Sequence, residues 1–167
     1  MTSTRGEKNP MSEDRSNLIA AIEQLPAEAE AVVAGLDDVG LDTPYRDGGW
    51  SPRQVIHHLA DSHMNAFIRM RLVVTEDNPA IKPYDQDAWA LLPDSLTMPV
   101  APSLSLLSGL HARWVGFLRS LPDDAFSRTA FHPEHGELTL DRLVAIYGKH
   151  GRTHCQQIRD LRDRMGW

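Results

Sequence analysis

The last stretch of the chain puts two histidines where core residues belong. From about Leu140 to Arg164 it reads as one helix. At ~100° per residue, Leu143, Tyr147, His150, His154, Ile158 and Leu161 fall within about one quarter of its circumference. A helix with such a stripe buries it against other helices, so the end of the chain alone points to a helical bundle. Two imidazoles four residues apart share one face, a spacing that lets both bind one metal ion. The other reading is a pair of hydrogen-bonded core histidines, each needing a polar partner to avoid a desolvation cost. Gly151 between them costs ~1 kcal/mol of helix propensity relative to Ala, which implies close backbone approach.

Three further helical segments precede it. From Ser12 to Leu36 apolar residues recur at helical spacing, and Pro26 predicts a kink or a split there. Ser51, Pro52 and Gln54 form a capping box that starts a second helix, running to about Glu76. Leu104, Leu107, Leu110, Trp114, Phe117 and Leu121 mark a third helix, Ser103 to Leu121, ended by Pro122. Between the second and third lies a Pro-rich crossover, Asp77 to Ala101, with a short helix expected near Gln86–Leu92. Thr129–His132 and Glu137–Thr139 can pair as a small hairpin. The expectation is an all-α, antiparallel four-helix bundle with a long helix 2–helix 3 crossover. It occupies residues 12–167 as one domain, behind a flexible tail over residues 1–11 that offers nothing to bury.

Composition removes several classes of function. One Cys excludes a disulfide framework and Cys-rich zinc modules. No apolar stretch approaches the ~18 residues of a membrane span, and the polar start lacks the apolar middle of a signal peptide, so a cytoplasmic protein is expected. A net charge of −6 offers no basic surface for nucleic acid. The eight histidines are then the surplus to explain.

A metal site in a bundle needs ligands from a facing helix, and the second helix offers His57, His58 and His63. His63 lies near the centre of that helix's apolar stripe, His58 at its edge and His57 farther round. Ser62, Asn65 and Arg69 continue from His58 as a polar stripe beside the core, which implies a bound polar group or a subunit contact. Pattern alone divides the choice between His58 and His63. His111 reads as a core or rim residue, His132 and His135 as exposed loop residues, and Cys155 as a small buried hydrophobe. Trp50 reads as a core plug at the end of the bundle, and the Asp77–Ala101 segment first as a packing loop anchored by Tyr84 and Trp89, the alternative being that Lys82, Tyr84, Asp85 and Trp89 line the mouth of the site.

The run DTPYRDGGWSPRQVIHHLADSHMNAFIRMRL, then TEDNPAIKPYDQDAWALL and the late HGRTHCQQI, closely resembles the DinB-like four-helix proteins, and within them the YfiT/BstA group. The likeness runs from about Gln24 to the C-terminus. It implies that His58, His150 and His154 bind a divalent metal, zinc or nickel, and that His63 has a structural role. It also implies a small-molecule substrate and a homodimer. Lys149, Arg152 and Thr153 stand where similar proteins often carry an aromatic residue and further histidines, so the pocket lining differs.

Three neutral imidazoles leave the charge of a divalent ion unneutralised and at least one position open, as in catalytic sites. Such an ion can activate water or hold a thiol as thiolate. HGRTH has Gly where an HExxH protease has its general base, which argues against peptide hydrolysis by that route. A hydrolase would need a base from elsewhere, with Asp61, Asp85 or Glu134 as sources, whereas thiol transfer needs none. The leading expectation is a thiol S-transferase using a low-molecular-weight thiol such as bacillithiol or mycothiol, in detoxification. A metal-dependent hydrolase is the alternative, and a metal-stabilised, non-enzymatic stress protein the third.

Overall fold

The structure, a computed structural model, describes residues 10–167, with side chains from residue 14 onward. The expected tail over residues 1–11 falls almost wholly outside the described residues. Four long helices make the bundle: α1 (Pro10–Val33), α3 (Pro52–Thr75), α6 (Ala101–Ser120) and α7 (Leu140–Met165). Short helices α2 (Asp38–Asp42), α4 (Gln86–Ala90) and α5 (Pro93–Thr97) decorate the connections. A 3₁₀ turn at Asp123–Ser127 leads into the hairpin of β1 (Thr129–His132) and β2 (Gly136–Thr139), paired in the register Thr129↔Thr139 to His132↔Gly136.

Of the kink or split expected at Pro26, the split does not occur, because α1 is one continuous helix with Pro26 inside it. Proline removes one backbone donor, so the Ile22 carbonyl has no helical partner four residues on. It accepts instead from His111 Nδ1 at 2.6 Å. α2 and α5 were not anticipated. Each has five residues, too few to display a period, and α2 is held by Asp37 accepting from the Gly40 N–H. The capping box is present in both directions, Ser51 N–H to Gln54 Oε1 at 3.0 Å and Gln54 N–H to Ser51 Oγ at 3.3 Å. Gln54 Nε2 also donates to the Ala90 carbonyl, tying α4 to the start of α3.

Helix directions follow from which residues meet. Gly148 packs on Leu18, and Arg162 donates to the Val32 carbonyl, so α7 runs parallel to α1. His57 meets Ser103 and Met70 meets Trp114, so α6 runs parallel to α3. Glu23 meets Arg119 while Pro26 and Glu30 lie beside Leu104 and Ser108, which sets α6 antiparallel to α1. His58 and His63 meet His150 on α7, which approaches α3 from the opposite direction. Along the chain the order is up, down, down, up. Antiparallel neighbours thus alternate with parallel ones, and consecutive parallel helices require the long crossover that joins α3 to α6.

Two apolar clusters fill the bundle. One contains Ile22, Met70, Trp114, Leu140 and Val144; the other contains Leu25, Ile56, Leu59, Leu107 and Ile158. On α3, α6 and α7, histidines occupy the residues between the two clusters. The helix stripes are therefore interrupted at one common level, and that level is polar.

Candidate metal centre

At this level His58 comes from α3 and His150 and His154 from α7. One ligand nitrogen from each lies within 4.8 Å of the others. His58 Nε2 and His150 Nε2 are 3.3 Å apart. His154 Nδ1 donates to Gln157 Oε1 at 2.9 Å, which leaves its Nε2 as the bare nitrogen. Two of these ligands come from one helix because residues four apart stack on one face. The third requires α3 to lie against α7.

Gly151 permits close packing behind them: a Cβ there would overlap the Leu25 side chain of α1. Trp50, half-buried just before α3, covers the outer side. Its ring centroid is 4.6 Å from that of His58, and it stacks on His154 with planes 12° apart. Trp50 is therefore a cover for the imidazoles as well as a packing residue of the second cluster.

Burial, reinforced by the neighbouring imidazoles, pushes His58 and His150 down to about 3, and burial lowers His154 as well. All three are neutral at pH 7 and present lone pairs. Neutral nitrogen donors, converging and already desolvated, suit zinc, nickel and similar divalent ions. Among the described residues, no carboxylate joins the trio.

The remaining histidines separate cleanly. His57 donates from Nε2 to the Met98 carbonyl and accepts at Nδ1 from Ser103, so it clamps the approach to α6. His63, which periodicity favoured, is fully buried behind the trio, between His150 and His111. His111 is 1% exposed, a core residue rather than a rim one. His132 and His135 stack at the hairpin turn, and with Glu134 they form a second, largely exposed group of possible ligand atoms within 4.8 Å. Cys155 is buried and its thiol is pushed up to about 11 by burial, the opposite of what a nucleophile needs.

His150 also forms part of the wall of a cleft of about 490 Å³, shared with Ser62, Arg69, Tyr84, His132 and Tyr147. The crossover closes one side because Ile81 N–H donates to the Phe131 carbonyl and Phe131 N–H to that of Pro79, joining it to β1. The expected line of residues through Tyr84 and Asp85 does border the cleft, and Tyr84 packs on Trp89 at 4.5 Å. Burial raises the Tyr84 hydroxyl to about 12, so it stays protonated and can donate. The polar stripe on α3 finds its explanation here, since Ser62 and Arg69 face the cleft. Ser62 Oγ is buried without a partner, and Arg69 donates to the Lys82 carbonyl. Of the three carboxylates considered as bases, Asp85 and Glu134 border the cleft and Asp61 does not. Asp85 is engaged in capping α4 through the Ala88 N–H.

Residues 21–158 match the DinB superfamily. The chain belongs to that family. It is 47% identical over 156 residues, 93% of this chain and 88% of the relative, to YfiT of Bacillus subtilis, a protein named as a candidate metal-dependent hydrolase. A similarly named protein of Bacillus cereus strain 03BB102 is 48% identical over 161 residues, covering 96% of this chain and 92% of the relative. The solved structure of Bacillus subtilis YfiT, described as an unusual four-helix bundle, superposes with a TM-score of 0.91 and 44% identity over 99% of this chain and 94% of that one. A mycothiol-dependent maleylpyruvate isomerase shares the fold at a TM-score of 0.68 and 15% identity, over 95% of this chain and 63% of that one. Among the described residues, no helix is long and apolar enough to cross a membrane.

Proposed function

We propose that this DinB-family protein is a metal-dependent enzyme in which His58, His150 and His154 hold a divalent ion and the adjoining cleft holds the substrates. The observation that supports it is the convergence of three neutral imidazoles, His58 buried and His150 and His154 half-buried, with His150 at the wall of that cleft and, among the described residues, no carboxylate in the group. A bound ion supplies Lewis acidity, favouring the anionic form of a thiol or of water. The protein's own residues do the rest. Trp50 shields one side of the imidazoles from water, Arg69 offers a cation to an anionic substrate group, and Tyr84 and Tyr147 offer hydroxyls to orient it.

The nucleophile we favour is a low-molecular-weight thiol, transferred to an electrophile. Among the described residues no carboxylate lies in the trio, the nearest candidates being Asp85 and Glu134 across the cleft, and deprotonating a thiol needs no such base once a cation is beside it. Hydrolysis is the second reading, and the names of the Bacillus relatives favour it. A panel of thiols, bacillithiol and mycothiol included, assayed with monochlorobimane separates the two. Conjugation that requires one of these thiols and is lost in His150→Ala supports thiol transfer. Metal-dependent cleavage of an ester or amide panel without any thiol supports hydrolysis instead.

A further inference from the structure

A line of imidazoles connects the trio to the backbone of α1, and the chemistry above makes no use of it. His111 Nδ1 lies 2.6 Å from the Ile22 carbonyl oxygen. His111 Nε2 lies 2.9 Å from His63 Nδ1, and His63 Nε2 lies 3.1 Å from His150 Nδ1. His63 and His111 are fully buried, and the partners along the line are ring nitrogens and one carbonyl oxygen; a neutral ring there has one N–H and one bare nitrogen.

The direction of the line is then fixed from one end. A carbonyl oxygen only accepts, so His111 carries its proton on Nδ1. Its bare Nε2 must accept from His63, which therefore carries its proton on Nδ1. The bare His63 Nε2 in turn accepts from His150 Nδ1–H. His150 is left with a bare Nε2 on the side of His58 and His154. Reversing any member would set two lone pairs or two N–H groups against each other in a buried site, at a cost of about 1–3 kcal/mol for each group left unsatisfied. The starting acceptor is free because of Pro26, which occupies the position whose N–H would otherwise bond the Ile22 carbonyl.

We infer that Pro26, His111 and His63 are positioning residues for the metal centre: the carbonyl freed by Pro26 sets the tautomers of His111 and His63 and thereby holds His150 with its Nε2 lone pair presented to the ion. Metal-binding histidines usually donate their other N–H to a carboxylate or carbonyl. Here the carbonyl acts through two intervening rings. The inference rests on the trio being a metal centre, but the tautomers themselves do not require metal.

The test uses the full-length protein with ¹⁵N-labelled histidine, read by long-range ¹H–¹⁵N correlation before and after Zn²⁺ addition, with Zn²⁺ affinity from competition against a chromophoric chelator. The expected result is the Nδ1–H form at His63, His111 and His150. His111→Leu should give a mixture of tautomers at His150 and lower Zn²⁺ affinity by ~10–100-fold, with one ion per chain retained. His111→Gln should restore both, because its amide can donate to Ile22 and accept from His63. An Nε2–H form of His150 in the metal-free protein overturns the inference, as does an equal loss of affinity in the Leu and Gln variants. If His111→Leu does not fold, the wild-type spectrum and the Gln variant decide. Correct tautomers with no Zn²⁺ bound would leave the relay standing and overturn the metal reading on its own.

Discussion

His58 and His63 lie five residues apart on α3, both buried and both within hydrogen-bonding distance of His150, yet only His58 has a nitrogen grouped with those of His150 and His154. The nitrogen each of them meets makes the difference. His58 faces His150 Nε2, beside which His154 also presents a bare nitrogen, whereas His63 faces His150 Nδ1 and spends its other nitrogen on His111. His58→Ala should therefore abolish stoichiometric metal, while His63→Ala should still bind one ion per chain when metal is in excess. Metal analysis of both variants after gel filtration from a metal-supplemented buffer checks this, and the reverse result would remove His58 from the centre. The HxxxH pair was legible from sequence because its spacing matches the helix repeat. The different surroundings of His58 and His63 were not, because the wheel ranks residues by depth in the stripe, and the deeper residue meets His150 Nδ1 and His111 instead of the converging trio.

At the scale of the helices, the α1/α7 contact sets how close the HxxxH segment comes to the rest of the core. Gly148 and Gly151 have no side chain between the helices; a Cβ at Gly148 would lie 3.1 Å from the Leu18 carbonyl oxygen. Gly151→Ala gains ~1 kcal/mol of helix propensity but drives a methyl into Leu25, which is 2% exposed and cannot move aside freely. Overpacking of about 1–3 kcal/mol outweighs the gain, so urea denaturation should show a net loss of stability. A more stable Gly151→Ala protein would contradict the tight contact. Ser51→Ala removes the cap that fixes the start of α3 behind Trp50 and should cost about 1 kcal/mol in the same measurement. The capping box at Ser51, the hairpin and all four long helices were legible because their signals are local. Pro26 misled for an equally physical reason. Its lost hydrogen bond predicts a break, but α1 stays whole because a histidine from another helix takes up the freed carbonyl.

For the whole molecule, a polar band through the middle of the core makes stability depend on pH. His58 and His150 have folded values near 3, and burial lowers His63, His111 and His154 too. Unfolded, each titrates near 6.5, so between about pH 6.5 and 3 the unfolded chain binds more protons than the folded one. The contribution of these groups is fully present above the unfolded value and is lost as pH falls through that window. Each imidazole that stays neutral in the fold costs about 1.4 kcal/mol per pH unit. The urea midpoint of the metal-free protein should therefore drop steeply from pH 7 to pH 5, well above the range where carboxylates protonate. A flat profile over that interval would mean that the band is not held neutral.

The sequence by itself determined the four long helices, the capping box at Ser51, the hairpin and the HxxxH pair, because each depends on periodicity or on neighbours within a few residues. It also carried, by resemblance, the family to which the chain belongs. Only the tertiary structure decided that parallel and antiparallel neighbours alternate, that Trp50 covers the imidazoles, and that Ser62 and Arg69 face a cleft. It alone showed the line of hydrogen bonds from Ile22 to His150. Those facts depend on which helices meet and at what height, and contacts between residues some ninety positions apart leave no period in the chain.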